Sequence, residues 1–244
     1  SELDTQLEVV DQNFVVHNSR RLIYFGGCDY FRLATHPSVI DALTKGAKKN
    51  GLSSSASRIT TGNHPIYARL ETRLAAFFNA RAALTVSAGY LANIAVTQSL
   101  TGEITHALID ERSHASLLDA ARFLDCPVTT FAHRDPNDLK QKLAELPRSA
   151  RPLLMTDGMF SHDGSLAPLK AYETLLPKGG LMLIDDAHGA GIAGANGRGT
   201  HQAEGVNRSR IIQTITLSKA FGCAGGGVLC SESRRDKIAA SSRA

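Results

Sequence analysis

Short apolar runs alternate with amphipathic stretches along most of the chain, and this alternation limits the fold more than any other feature. Runs of this kind indicate buried strands, and the amphipathic stretches between them indicate helices. The pattern predicts an α/β fold with a mostly parallel seven-stranded sheet and helices on both of its faces. The predicted strands are residues 83–87, 106–109, 128–132, 153–156, 181–185, 211–216 and 227–230.

Four stretches between these runs have helical periodicity. In residues 65–79, the apolar side chains of Ile66, Leu70 and Leu74 fall on one face. Asp135 followed by Pro136 is typical of an N-cap with proline in the first turn. The predicted helices are residues 65–79, 91–100, 115–123 and 136–146.

The two ends of the pattern differ from its centre. The glycine run 225–227 leaves no room for a crossover helix, so strand 227–230 is predicted to run antiparallel to strand 211–216. Residues 7–10 and 14–17 have short strand-like patterns ahead of the repeating region. We therefore divide the chain into an N-terminal segment, residues 1–45, and a large domain, residues 46–244.

Composition excludes several classes of partner. The chain has 244 residues, 43% of them hydrophobic and 20% charged, which suits an ordinary globular protein with one large core. The net charge of +4 is small and dispersed, so no nucleic-acid partner is expected. No apolar stretch approaches a membrane span and no signal-peptide pattern is present, so no membrane partner is expected either.

Cysteine and histidine spacings bear on redox state and metal binding. The 4 cysteines form no Cys-x-x-Cys pair, which favours a reduced, cytoplasmic protein. His133, His162 and His201 stand apart from one another in the sequence. We therefore predict no metal site.

Two chemically complementary residues follow predicted strands. Lys219 comes shortly after strand 211–216, and Asp185 ends strand 181–185. A lysine and a carboxylate at such positions are what pyridoxal phosphate requires, because the amine forms a Schiff base with its aldehyde and the carboxylate keeps its ring nitrogen protonated. Taken singly, each residue would favour a plainer interpretation, an exposed loop lysine or a helix-capping aspartate, whereas the pair favours the cofactor.

Other polar residues also lie at predicted strand ends, where ligands of open parallel sheets bind. Gly89 and Tyr90 open a strand-to-helix turn suited to a phosphate, to which Thr216 would add a hydroxyl. His114 is placed to stack on a cofactor ring or, alternatively, to cap a helix. His188 lies three residues beyond Asp185 and, like Ser161, is placed to reach a phenolic oxygen of the cofactor. For Ser161 the alternative is a plain turn, because Asp-Gly follows shortly after it.

These motifs, in this order, resemble the α-oxoamine synthases, a family of pyridoxal-phosphate enzymes of fold type I. The resemblance extends from about Phe25 onward. The matching stretches are Asp29-Tyr30, His36-Pro37, Ser57-Arg58 with Gly62, Leu70-Glu71, Gly89-Tyr90 with Ala92-Asn93, Ser113-His114-Ala115-Ser116, Phe131-Ala132-His133 with Asp135, Phe160-Ser161 with Asp163-Gly164, Ala167-Pro168-Leu169, Asp185-Asp186-Ala187-His188-Gly189, Gly197-Arg198-Gly199 and Ser218-Lys219.

The resemblance implies a role for each matched site residue. Lys219 would hold the cofactor and move the substrate α-proton, and Asp185 would pair with the ring nitrogen. The remaining contacts to the ring, its phenolic oxygen and the phosphate would come from His114, His188, Ser161, Gly89, Tyr90 and Thr216. The Asp-Asp-Ala-His-Gly stretch is most similar to the branch of the family that joins alanine to a pimeloyl thioester, carried by CoA or acyl carrier protein, with decarboxylation in biotin synthesis.

The resemblance also implies a homodimer, with residues 51–64 near the interface, and a smaller C-terminal domain that grips the substrate carboxylate. The sequence ends at Ala244 and is expected to lack that domain. Cys28 stands where the family usually has a substrate-binding asparagine, and Asp157 stands where it usually has glutamate. Two alternatives stay open: a sibling enzyme that uses glycine or serine with another acyl group, and a non-catalytic partner subunit.

Overall fold

The computed structural model describes residues 6–9, 11 and 13–241, and these form two sheets. A small antiparallel sheet comprises β1 (Glu8–Val9), β2 (Phe14–His17) and β3 (Arg20–Ile23). The two N-terminal strands were predicted, although Val10 lies outside the described residues, and β3 was not. All four residues of β3 are exposed, so it has none of the apolar alternation on which the prediction depended.

A seven-stranded sheet forms the centre of the large domain, in the order β4-β10-β9-β8-β7-β5-β6. Its strands are β4 (Ala82–Val86), β5 (His106–Asp110), β6 (Val128–Phe131), β7 (Pro152–Asp157), β8 (Leu181–Asp185), β9 (Ile211–Thr216) and β10 (Gly226–Cys230). Neighbouring pairs from β6 to β9 are parallel, whereas β10 runs antiparallel to both β9 and β4. The mostly parallel sheet and its antiparallel strand 227–230 are therefore confirmed.

Helices cover both faces of this sheet. The α-helices are α1 (Pro37–Asn50), α2 (Pro65–Phe77), α3 (Gly89–Leu100), α4 (Ala115–Ala121), α5 (Pro136–Ala144), α6 (Leu169–Leu175), α7 (Thr200–Ala203) and α8 (Glu232–Ser241). Along β7, Leu153 and Met155 pack into the cluster that holds α3 and α4, while Leu154 packs into the cluster with α5 and α6. This alternation places one apolar core on each face.

The strand directions bring the functional residues together. Because β7, β8 and β9 are parallel, their carboxyl ends share one edge of the sheet, and in the register Asp157 lies opposite Asp185. The loop after β9 carries Lys219 to the same edge. The division into residues 1–45 and 46–244 stays a prediction.

Candidate cofactor site

Lys219 lies half-buried in the loop between β9 and β10. Its Nζ is 2.7 Å from His188 Nε2. Burial lowers the pKa of the Lys219 amine, and the nearby Asp185, Cys28 and Asp157 oppose this effect. A lowered pKa increases the share of the neutral amine, which is the form that attacks an aldehyde.

His188 connects Lys219 to the N-terminal segment. Its Nδ1 lies 2.7 Å from Tyr30 Oη. Burial and the charge of Lys219 lower the pKa of the imidazole to about 4, so the ring is neutral at neutral pH. A protonated Lys219 can only donate, so Nε2 then accepts and Nδ1–H donates to Tyr30. The tautomer of His188 is thereby set by its two neighbours.

Asp185 is held by donors from three elements. Its carboxylate accepts hydrogen bonds from Asn93 Nδ2 at 2.6 Å, Ser116 Oγ at 3.3 Å and the Ala187 amide at 3.1 Å. Asn93 is itself oriented by Thr214, whose hydroxyl donates to Asn93 Oδ1 at 2.7 Å. Within the described part of the chain, Asp185 has no ion-pair partner. A nearly buried carboxylate arranged in this way suits a protonated ring nitrogen.

His114 forms the N-cap of α4, so the capping alternative is realised. Its Nδ1 accepts from the Ser116 amide at 3.2 Å, and its own amide donates to Asp157 Oδ2 at 2.7 Å. The ring meets the Tyr90 ring edge-on, with centroids 6.3 Å apart. Capping fixes the ring at the carboxyl edge of the sheet. Stacking on a cofactor stays a prediction.

The start of α3 forms a narrow cradle against β9 and β10. A Cβ on Gly89 would lie 2.8 Å from Thr216 Cβ, and one on Gly226 would lie 2.7 Å from Gly89 Cα. Only glycine allows this approach. The N-cap, Ala88, makes no side-chain cap bond and no acidic residue lies in the first turn. Amides of this turn are therefore available to an anion.

Hydroxyls complete the cradle on one side. Thr216 Oγ1 lies 2.8 Å from Ser218 Oγ, at the end of β9. Tyr90 instead donates its phenolic hydrogen to Asp119. The Tyr90 hydroxyl would have to leave Asp119 before it could contact a phosphate. The predicted contact between Tyr90 and the cofactor phosphate therefore stays a prediction.

Ser161 and Cys28 are less closely tied to this cluster. Ser161 is exposed in the turn after Phe160 and makes no hydrogen bond to another residue that the structure describes. Cys28 is half-buried beside Tyr30, and burial together with this thiol raises the pKa of Tyr30 to about 12. The structure therefore brings Cys28 near Lys219 and leaves Ser161 at the rim, while the roles of both stay predictions.

Three residues that organise the site were not predicted from the sequence to have a role there. Asn93 and Ser116 hold Asp185, and Tyr30 holds His188. A signal was available for Asn93, because it is the one amide within the apolar run 91–96, and in the structure it is fully buried. Buried polar groups of this kind need partners.

His133 and His162, which stand apart in the sequence, lie close together in the structure. The rings of His133 and His162 lie 5.6 Å apart between centroids, because the loops after β6 and β7 meet at the same edge. His201 lies elsewhere and pairs with Arg208 at 3.0 Å. Separation along the chain concealed this pair.

A cavity of about 830 Å³ lies at the opposite edge of the sheet, beside the first residues of β8 and β9. Its lining includes Arg81, Arg198, Arg208, Arg210 and Arg234. It contains none of the residues of the candidate cofactor site. The chemistry therefore places the candidate site at the carboxyl edge and not in this cavity.

Asp157 is a buried carboxyl group whose charge is unfavourable. Burial and the neighbouring charge of Asp185 raise its pKa from the usual 3.8 to about 7. Because the folded pKa is raised, the group contributes stability that is full below pH 3.8 and is lost as the pH rises through about 7.

We expect Asp157→Asn to remove this loss. Between pH of about 4 and 8, the free energy of unfolding of the wild type should fall relative to the variant by up to about 4 kcal/mol, since one pKa unit is worth about 1.4 kcal/mol. Urea unfolding of both chains without added cofactor measures the difference. A difference that does not change with pH would contradict the raised pKa.

The sheet, the lysine loop, the strand-end carboxylate and the glycine cradle together define the large domain of a fold type I, pyridoxal-phosphate-dependent enzyme. Residues 21–244 match the family model of aminotransferase class I and II. The chain belongs to this family.

Curated relatives give a finer comparison. The 8-amino-7-oxononanoate synthase of Thioalkalivibrio sulfidiphilus is 40% identical over 230 residues, which cover 93% of this chain and 59% of the relative. That of Yersinia enterocolitica is 40% identical over 215 residues, covering 88% of this chain and 55% of the relative. This chain therefore spans less than two thirds of the length of either relative.

Solved structures with a similar fold come from the same group of enzymes. A serine palmitoyltransferase from S. paucimobilis, with a bound aldimine of PLP and myriocin, superposes with a TM-score of 0.90 and 28% identity over 97% of this chain and 60% of its own. The 8-amino-7-oxononanoate synthase of Francisella tularensis gives a TM-score of 0.74 and 25% identity over 88% of this chain and 60% of its own. The predicted resemblance to α-oxoamine synthases is confirmed.

One further property concerns membranes. Among the residues that the structure describes, no helix is both long and apolar enough to cross a bilayer.

Proposed function

We propose that the protein binds pyridoxal phosphate at this site and acts as an acyltransferase that joins L-alanine to a pimeloyl thioester, with decarboxylation to 8-amino-7-oxononanoate in biotin synthesis. The observation that carries the proposal is the convergence of Lys219 and Asp185 at one sheet edge beside the glycine cradle. The names of the curated relatives support this reaction, and the alanine and pimeloyl groups rest on the sequence resemblance.

The residues present fit the cofactor. The cradle at Gly89, with Thr216, would take the phosphate, Lys219 the aldehyde, and Asp185 the ring nitrogen. His188 and Ser161 would address the phenolic oxygen, and His114 would flank the ring. When bound, the cofactor supplies an aldehyde for covalent attachment and a protonated ring that withdraws electrons from the substrate Cα.

The chain's own residues would then orient the substrate and move its proton. Lys219 Nζ would take the proton from the amino-acid Cα, which its lowered pKa favours. His188, neutral and held by Tyr30, would keep Nε2 directed at the reacting region. Cys28 would lie beside the amino acid. Asn93 and Ser116 would hold the Asp185 carboxylate in place through their hydrogen bonds.

The experiment that tests this function is thioester-dependent release of free thiol. The chain would be assayed alone and after extension with the C-terminal part of a curated relative, using pimeloyl-CoA or pimeloyl acyl carrier protein. We expect L-alanine to support turnover well above glycine or serine. A preference for either of those would identify a sibling synthase, and no turnover with any amino acid by the extended chain would contradict the function.

We also propose that two copies assemble. Large apolar side chains are exposed in and near residues 51–64, with Leu52 95% and Ile59 78% exposed. Leu43 on α1 is 71% exposed, so the apolar surface continues onto that helix. Exposure of this extent marks an association surface more often than a free one.

We also propose a cytoplasmic location, with which the free cysteines are consistent.

We expect the cofactor-loaded chain to sediment as a dimer at micromolar concentration. Ile59→Asp should shift it towards monomer, because a charge would be buried in the interface. Val128→Asp is the control and should leave the dimer intact, because Val128 is 45% exposed on β6, at the opposite edge of the sheet from β4, whose Thr85 bonds Arg58 of residues 51–64. A wild-type monomer under these conditions would contradict the assembly.

A further inference from the structure

Three metal-binding side chains meet at the rim of the sheet, outside the residues assigned above. His133 follows β6, and His162 and Asp163 lie in the turn after β7. One potential ligand atom from each lies within 4.8 Å of the other two. The cluster combines two imidazoles with one carboxylate.

His133 is arranged as metal-bound histidines are. Its Nδ1 lies 2.9 Å from Asp110 Oδ1, and a carboxylate can only accept, so the proton is on Nδ1. In the neutral ring, Nε2 is then the lone-pair nitrogen. It is buried and has no hydrogen-bond partner in the described structure. A buried acceptor without a partner is costly, and a carboxylate behind the opposite ring nitrogen is the usual support of a histidine ligand.

The support behind His133 is rigid. Asp110 is fully buried and accepts hydrogen bonds from the Arg112 and Arg134 amides, both at 2.9 Å. The Phe160 ring packs edge-on against His133, with centroids 4.4 Å apart. The ring of His133 is therefore held in one orientation, and Nε2 is its only ring nitrogen that is free to bind a metal ion.

The other two side chains are exposed enough to adjust. The side chains of His162 and Asp163 are 41% and 48% exposed, and His162 Nε2 lies 3.5 Å from Asp163 Oδ2. The Ser165 amide donates to Asp163 Oδ1 at 2.8 Å, which leaves Oδ2 for another partner. Ligands of a tetrahedral ion stand about 3.3 Å apart, given metal–ligand bonds of about 2.0–2.1 Å. Small side-chain rotations of this exposed pair are sufficient to reach that spacing.

We propose that His133, His162 and Asp163 bind one divalent transition-metal ion of the zinc class, with the remaining position open to water or another ligand. Two imidazole nitrogens select such ions over Mg²⁺ and Ca²⁺, which prefer oxygen ligands. The ion would fix the turn that begins at Ser161. The proposal shares no ligand with the cofactor site, so either can fail without the other.

The test is titration of the metal-free chain with Zn²⁺ by calorimetry and with Co²⁺ by visible absorption. Pyridoxal phosphate is left out because it binds metal ions itself. A Cys223→Ser background removes an exposed thiol that would compete for the ions. We expect one ion per chain and Co²⁺ bands typical of tetrahedral nitrogen and oxygen ligation.

Matched variants assign the ligands. His162→Ala and Asp163→Ala should each weaken Zn²⁺ binding more than about tenfold, since losing even an outer-sphere partner costs about 10–100-fold. Asp110→Asn should weaken it by that outer-sphere amount while circular dichroism stays native. His17→Ala removes a histidine far from the cluster and should have no effect. Absence of stoichiometric binding, or equal affinity in the wild type, His162→Ala and Asp163→Ala, would overturn the proposal.

Discussion

Lys219→Ala should lower the exchange of the alanine α-proton with solvent by about 10²–10⁴-fold, the usual contribution of a positioned proton-transfer group. The variant loses both the amine that attaches the cofactor and the base beside the substrate Cα. Exchange is measured by NMR in deuterated buffer, with the chain saturated in pyridoxal phosphate and L-alanine.

Lys140→Ala is the matched control, because Lys140 is an exposed lysine on α5, away from the carboxyl edge of β8 and β9. It should exchange at the wild-type rate. If Lys219→Ala kept that rate as well, another group would be the base, and the assignment of Lys219 would be wrong.

Asp185→Asn should lower the same exchange by about 100-fold or more while cofactor remains bound. The amide keeps the shape and one oxygen, which can still accept from the Ala187 amide, but it replaces the oxygen that accepts from Ser116 and removes the charge that stabilises a protonated ring nitrogen. The cradle at Gly89 is untouched, so phosphate binding should persist. Equilibrium dialysis of the cofactor separates this outcome from loss of binding.

The result that would contradict the role of Asp185 is unchanged exchange in Asp185→Asn with the cofactor fully bound. Loss of cofactor and exchange together would instead indicate that Asp185 acts through binding. Asn93→Ala is a useful companion, because it removes the 2.6 Å donor without changing the carboxylate itself. We expect Asn93→Ala to lower the exchange of the alanine α-proton by less than Asp185→Asn does.

The central sheet could be predicted from the sequence because five of its seven strands, β5 and β7 to β10, are buried on both faces. A strand such as β9, with all six residues buried, is a continuous run that differs clearly from its surroundings. Helix α1 was not predicted, although Ile40, Leu43 and Ala47 recur in it at helical spacing; none of its residues is buried, so this apolar stripe does not belong to the core. Helix α8 was also not predicted, because its described residues form only a weak apolar face, of which Ile238 alone is buried.

Only the site residues that lie at or shortly after the end of a strand could be predicted from the sequence. Lys219, Asp185 and His188 each follow an apolar run, so the parallel-sheet rule brings them to one edge. The bond between Asn93 and Asp185 joins residues 92 positions apart, and no local pattern encodes it. The meeting of His133 with His162 likewise depends on the order of β5, β6 and β7 in the sheet.

The most direct test of the central claim is to locate the covalently attached cofactor. The wild-type chain would be incubated with pyridoxal phosphate, reduced with borohydride, digested and analysed by mass spectrometry. The account predicts a visible absorption band that reduction abolishes, and a single modified peptide that contains Lys219. Modification of a different lysine, or no modified peptide after saturation with the cofactor, would contradict it.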